Sequence, residues 1–149
     1  MSLPFGRRDI LVGIALFVAA YAVYAVAFNI VAAFRPDIAS SMRGGYAIGR
    51  PALAVVVAAS LMNPIYEELL WLGFAVPGPA RWRLLPAVML SLVPRCLIHT
   101  YQGWAAIVAV GPMGALYLAY YFRTGRLWPV IIAHGLLDLV GLALLRARG

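Results

Sequence analysis

Apolar runs long enough to cross a membrane alternate with short polar breaks along the whole chain. After a polar lead, Met1–Asp9, the run from Ile10 to Phe34 carries one strongly polar side chain, Asn29. At 1.5 Å per residue it reaches roughly 37 Å, enough to span a bilayer with some tilt. Arg35-Pro36-Asp37 ends it, and Ile38–Arg50, with Ser40-Ser41 and Gly44-Gly45, reads as a loop. A second run extends from Pro51 to Val76, where Pro51 suits a first helical position and Pro64 predicts a kink that frees a backbone carbonyl. Pro77-Gly78-Pro79 closes it, and Arg81-Trp82-Arg83 reads as an interfacial anchor. Leu84 to Ile98 is a third, short segment, interrupted by Pro86, Pro94 and Arg95 and followed by His99 and a turn at Thr100–Gly103. Trp104 to Phe122 forms a fourth, with a bend expected at Gly111-Pro112, and Arg123-Thr124-Gly125-Arg126 is a tight polar turn. Leu127 to Leu145 is the fifth, and Arg146–Gly149 is a tail. With no repeat and no long linker, the pattern predicts an all-α, polytopic integral membrane bundle of about five spans, one domain over residues 1–149.

Composition agrees with this membrane class. Hydrophobic residues make up 64% of the chain and charged ones 11%, against about 25% charged in soluble domains. The net charge is +7, yet the arginines stand singly or in pairs between apolar runs. That arrangement suits lipid headgroups and gives no nucleic-acid surface. With five spans, Arg7, Arg8, Arg81, Arg83, Arg123 and Arg126 fall on one side, and Arg35, Arg43, Arg50, Arg146 and Arg148 on the other. The small excess tips the N-terminus towards the cytoplasm. The lone Cys96 excludes an internal disulfide framework, and the first run is too long for a cleavable secretory signal.

Against this background, Glu67-Glu68 stands out. Two of the chain's five acidic residues sit side by side within the second run. A carboxylate at the bilayer centre costs about 2.5–3.5 kcal/mol on insertion scales, so each needs a partner, water or a proton. Three further ionisable side chains lie in or at the ends of apolar segments: His99, His134 and Asp138. His134 and Asp138, four apart, share one helix face. Glu67 lies roughly 13 Å from the end of its run at Val76, and His134 lies roughly 10 Å beyond Leu127, so the two are level. His99 fits least well, roughly 22 Å past Leu84, and reaches the same layer only if the third segment tilts or enters the membrane late. Arg95 needs an anionic partner, and Glu67 and Glu68 are the nearest candidates. Cys96 and His99 have the spacing of a nucleophile–base pair, but Cys96 fits better as a small buried hydrophobe. Trp71, Trp82, Trp104 and Trp128 read as interface anchors.

These stretches resemble a known family. Glu67-Glu68-Leu-Leu-Trp-Leu72-Gly73, Arg95-Cys-Leu-Ile-His99 and His134-Gly-Leu-Leu-Asp138 are similar to the three motifs of the CAAX protease and bacteriocin-processing (CPBP, or Abi) family. Its members are intramembrane endopeptidases related to the type II CAAX prenyl proteases. The resemblance covers residues 60–140 and includes Tyr117 to Ala133 before the last motif. Two positions depart from the pattern: Leu72 stands where the first motif has Arg, and Arg95 where the second has Phe. The resemblance implies a helical core in which Glu67 activates a water, with Glu68 beside it and His99 as a second contact to that water. His134 and Asp138 would stabilise the oxyanion, and the substrate would be a peptide or prenylated peptide at the bilayer. The physics agrees in outline, because two adjacent carboxylates in low dielectric do not both ionise cheaply, which suits one of them to proton transfer. A neutral His134 would donate to the oxyanion, and Asp138 would do so only if protonated.

Members are often called metalloproteases, and two His with a carboxylate would satisfy Zn²⁺ with one open position. The same residues suffice without metal and no HExxH signature occurs, so the cofactor stays open. The resemblance implies a hydrolase in a bacterial inner (plasma) membrane. Two other classes compete with it. One is a catalytically silent relative acting as scaffold or immunity protein, which Leu72 and Arg95 would favour. The other is a proton- or ion-translocating protein, because Glu, His and Asp also form relays.

Overall fold

The computed structural model describes residues 5–38, 50–76, 84–100 and 104–148. The expected Ser40-Ser41 and Gly44-Gly45 loop, the Pro77-Gly78-Pro79 stop, the Arg81-Trp82-Arg83 anchor and most of the Thr100–Gly103 turn lie outside them. All long elements are helical: α1 Arg7–Phe34, α2 Leu53–Glu68 continuing as a π-helix Leu69–Phe74, α3 Leu84–Ile98, α4 Trp104–Thr124 and α5 Trp128–Arg148. Three of them, Arg7–Phe34, Leu53–Phe74 and Trp128–Ala147, are long and apolar enough to cross a membrane. Helix α4 matches them in length with 21 residues, and Leu85–Ile98 is a shorter apolar helix. Leu11, Val18, Val26, Leu61, Met62 and Leu97 lie exposed on the outer faces, as the faces of an integral membrane protein must when the solvent is lipid.

The helices pack as a closed ring. Helix α5 lies between α1 and α2, α4 lies between α1 and α3, and the π segment of α2 meets α3 to close it. The packed core comprises Leu16 and Ala20 of α1, Leu72 and Val76, Ala87 of α3, Tyr117, Leu118 and Tyr121 of α4, and Leu127, Val130, Ile131 and Ala133. These residues come from the end of α2, the start of α3, the end of α4 and the start of α5, so one half of the ring is tightly filled. Towards the other end the α1–α4 contact is marked by a shallow, open apolar groove lined by Ala22, Val23, Val26, Ala27, Ile30 and Pro112.

Polar contacts fix which ends lie together. Asp9 is buried at the start of α1, accepts the Gly6 backbone N–H at 2.9 Å, and is gripped by Arg126 through Nε at 2.9 Å and Nη2 at 2.7 Å. The first contact caps α1, and the second fastens it to the α4–α5 turn. At the other end Arg146 Nη1 donates to the Pro51 carbonyl at 2.6 Å, tying the last turns of α5 to the entry of α2. Sequence alone marked Asp9 only as part of a polar lead.

Helices α2, α3 and α4 run through Pro64, Pro94 and Pro112. The departure from α geometry in α2 comes five residues after Pro64, where Ala75 N–H bonds to Leu70 O at 3.0 Å in the i to i+5 pattern. Every fourth residue from Val56 to Val76 faces inward: Val56, Ser60, Pro64, Glu68, Leu72 and Val76. An α-helix turns about 100° per residue, so such a stripe drifts about 40° per step. The wider π turn reverses that drift and returns Leu72 and Val76 to the face that carries Glu68.

Pro64 has no N–H to offer Ser60 O, and α5 comes close to that carbonyl. A methyl at Gly135 would lie 2.8 Å from Ser60 O and 3.6 Å from Pro64 Cγ. Glycine is therefore required beside His134 for α5 to reach α2, a contact type common between membrane helices. Gly135→Ala is expected to force the two helices apart and lower stability by about 1–3 kcal/mol. A melting curve in detergent checks this, and an unchanged midpoint would show that the approach is not tight.

Candidate functional site

Of the polar residues singled out in the sequence, Glu68, Arg95 and His134 meet inside the ring, with Glu68 as the hub. Its side chain is fully buried. Arg95, only 1% exposed, donates from Nη1 to Oε1 at 2.9 Å and from Nη2 to Oε2 at 2.7 Å. His134 Nδ1 lies 2.7 Å from Oε1. Three helices therefore converge on one carboxylate. The planar guanidinium suits this task because its fork matches both oxygens at once. Gly114 of α4 makes room for it: a methyl there would lie 3.1 Å from Arg95 Cδ and 2.8 Å from Leu92 Cδ1.

Leu72 is buried in the apolar core, and the cation bonded to Glu68 of α2 comes from Arg95 on α3, across the contact between α3 and the π segment.

The hydrogen bonds constrain protonation. Both Glu68 oxygens accept from Arg95 and one also accepts from His134, so the arrangement is that of a carboxylate. His134 Nδ1 must then carry the hydrogen, and a neutral ring presents its lone pair at Nε2. That nitrogen lies 3.6 Å from Asp138 Oδ1, beyond hydrogen-bonding distance. Asp138 Oδ2 accepts from Asn63 Nδ2 at 3.1 Å, and its side chain is 25% exposed. A neutral His134 in this tautomer has no hydrogen at Nε2 to donate.

Glu67 stands apart from its neighbour. It is buried, and its Oε2 has no hydrogen-bond partner among the described residues. It nevertheless lies within the electrostatic reach of Arg95. His99 follows the last turn of α3 and is half-buried, with Nδ1 2.8 Å from the Arg95 carbonyl. A carbonyl only accepts, so Nδ1 carries the hydrogen and a neutral His99 also has its lone pair at Nε2. This bond lies within its own stretch of chain and does not by itself bring the His99 ring to the Glu68 cluster.

Two other polar groups belong to this interior. The hydroxyl of Tyr117, on a fully buried side chain, and the indole N–H of Trp71 are shielded and have no hydrogen-bond partner among the described residues. Each such group costs about 1–3 kcal/mol. The shielded N–H of Trp71 differs from the interface anchor expected of it, whose N–H would sit among headgroups. Tyr117 could have been found from the i+3 spacing that puts it on the Gly114 face of α4, given knowledge that Gly114 faces Arg95.

A metal is testable against the same geometry. Among the described residues no three His, Cys, Asp or Glu side chains converge as a metal ion requires. His134 Nδ1 is committed to Glu68, and Glu68 to Arg95. These contacts use Nδ1 of His134 and leave Nε2 out of them, and no step is routed through a metal.

Residues 49–140, more than half of the chain, match the family model described as type II CAAX prenyl endopeptidase Rce1-like. The chain belongs to this Rce1-like family. No curated protein and no solved structure matches it.

Breaking the clamp has a defined expected effect. Arg95→Ala would leave Glu68 buried without its cation and is expected to destabilise the fold by about 3–5 kcal/mol. Leu72→Arg combined with Arg95→Phe would return the charge to α2 and should be less damaging than the sum of the two single changes. Denaturation of the four proteins as a double-mutant cycle checks this, and strict additivity would show that the two positions do not couple.

Proposed function

We propose that the chain is an intramembrane endopeptidase that hydrolyses a peptide bond with a water activated by Glu67. One observation carries this reading: of two adjacent buried glutamates, Glu68 is fully engaged by Arg95 and His134, whereas Glu67 keeps an oxygen with no partner among the described residues. A buried carboxylate oxygen in that state is suited to accept a proton from a bound water. Membership of the Rce1-like family supports the same reaction class.

In this proposal Glu67 takes a proton from water as the oxygen adds to the scissile carbonyl carbon. It then returns that proton to the leaving amine as the carbon–nitrogen bond breaks. His99, through Nε2, is the second contact to the water. Glu68 and Arg95 form a fixed ion pair that holds α2 to α3 and orients His134, and Asn63 holds Asp138 at the more exposed edge of the site. Leu72 and Arg95 do not argue for a silent relative, because the guanidinium is supplied from α3. The substrate is a peptide or prenylated peptide reaching the site from the bilayer. The membrane is a bacterial inner membrane with the N-terminus cytoplasmic. The site then lies nearer the cytoplasmic end, since Glu68 precedes the last turns of α2 and His134 follows the start of α5.

Glu67→Gln keeps shape and removes the base. In vesicles carrying a quenched fluorescent prenylated peptide, it is expected to lower turnover by about 10²–10⁴ with an unchanged melting temperature. Full turnover by this variant would overturn the assignment of Glu67 as base.

A further inference from the structure

The reaction proposed above builds negative charge on the carbonyl oxygen of the substrate, and that oxygen needs a donor. His134 does not supply one in its neutral form, because its hydrogen is on Nδ1 and directed at Glu68. Asp138 accepts from Asn63 and is a donor only when protonated. The clamp itself is occupied, with Nη1 and Nη2 of Arg95 both directed at Glu68.

The ring interior holds another donor. Tyr117 is fully buried, yet its hydroxyl has no partner among the described residues. It lies one turn after Gly114, the residue against the Arg95 stem, and so on the face of α4 turned towards the carboxylate cluster. Its ring centre is 6.3 Å from that of His134, with the planes tilted by 36°. It is also within electrostatic reach of Glu68, Arg95 and Asp138. A phenol buried for packing alone would be replaced without loss by phenylalanine, because its hydroxyl bonds to none of the described residues.

We propose that Tyr117 is a further catalytic residue, whose hydroxyl donates a hydrogen bond to the substrate carbonyl oxygen as it becomes an oxyanion. The interaction moves no proton from Tyr117; the proton taken from water stays on Glu67 until the amine leaves. The donor is rigid, because Tyr117 sits among Leu118, Tyr121 and Val130 in the packed half of the ring. It is therefore aimed before the substrate arrives, the condition under which such donors contribute most.

This inference rests on the peptidase reading, and the experiment separates the two. Wild type, Tyr117→Phe and Glu67→Gln are assayed in vesicles with the same quenched prenylated peptide, and their melting temperatures are measured in detergent. For Tyr117→Phe the expected result is kcat lower by about 10²–10³, KM within about threefold, and a melting temperature equal to or above that of wild type. Wild-type turnover by Tyr117→Phe would overturn the role of Tyr117 and leave the peptidase reading intact. Activity and melting temperature falling together would also overturn it, by showing a packing role. Absence of turnover by wild type, across a library of prenylated and unprenylated peptides, would sink the peptidase reading and this inference with it.

Discussion

A guanidinium and a carboxylate, both removed from water, form the interaction on which this structure depends. Arg95 and Glu68 belong to different helices, and neither would be tolerated alone inside an apolar bundle. Their double hydrogen bond fixes how α3 sits against α2, and His134, bonded to the same carboxylate, fixes α5. Apolar packing between membrane helices is permissive, since lipid tails are as apolar as leucine. A buried three-helix polar junction supplies the discrimination that such packing lacks. Gly135 and Gly114 are its steric counterparts, each allowing a helix close enough for the polar groups to meet.

The junction also divides the polar interior by role. Glu68, Arg95 and Nδ1 of His134 satisfy one another, and groups so satisfied hold a shape. Glu67 Oε2, the Tyr117 hydroxyl and the Trp71 N–H are shielded without partners among the described residues. In the reaction proposed above, Glu67 Oε2 serves the water and the Tyr117 hydroxyl serves the peptide carbonyl. The frame and the reactive groups are adjacent in sequence, at Glu68 and Glu67, because neighbouring residues on a helix point about 100° apart. One faces the arginine, and the other keeps an oxygen without a partner among the described residues.

Much of this was legible in the residues. The apolar runs gave the helices, because hydrophobic length leaves few alternatives. The shared depth of Glu67 and His134 and the need of Arg95 for an acid pointed to one cluster. The choice of Glu68 over Glu67 as the clamped partner was not legible, since it depends on a rotation of α2 that sequence does not give. The π segment was hidden because the prolines drew attention to Pro64, although the every-fourth pattern of Val56, Ser60, Pro64, Glu68, Leu72 and Val76 carries its signature. Asp9 was taken as part of a polar lead, because its partner Arg126 lies on the far side of the chain order. Tyr117 was concealed by its chemistry: a tyrosine in an apolar helix is most simply core, and only an unpartnered hydroxyl says otherwise.

The central claim is that the two glutamates are unlike: Glu68 locked in an ion pair, Glu67 available for proton transfer. A lipid-soluble carbodiimide, which adds to protonated carboxyls in apolar surroundings, distinguishes them in native membranes, with the adducts mapped by mass spectrometry. The account expects modification of Glu67 and protection of Glu68. An adduct on Glu68 with Glu67 spared would contradict it.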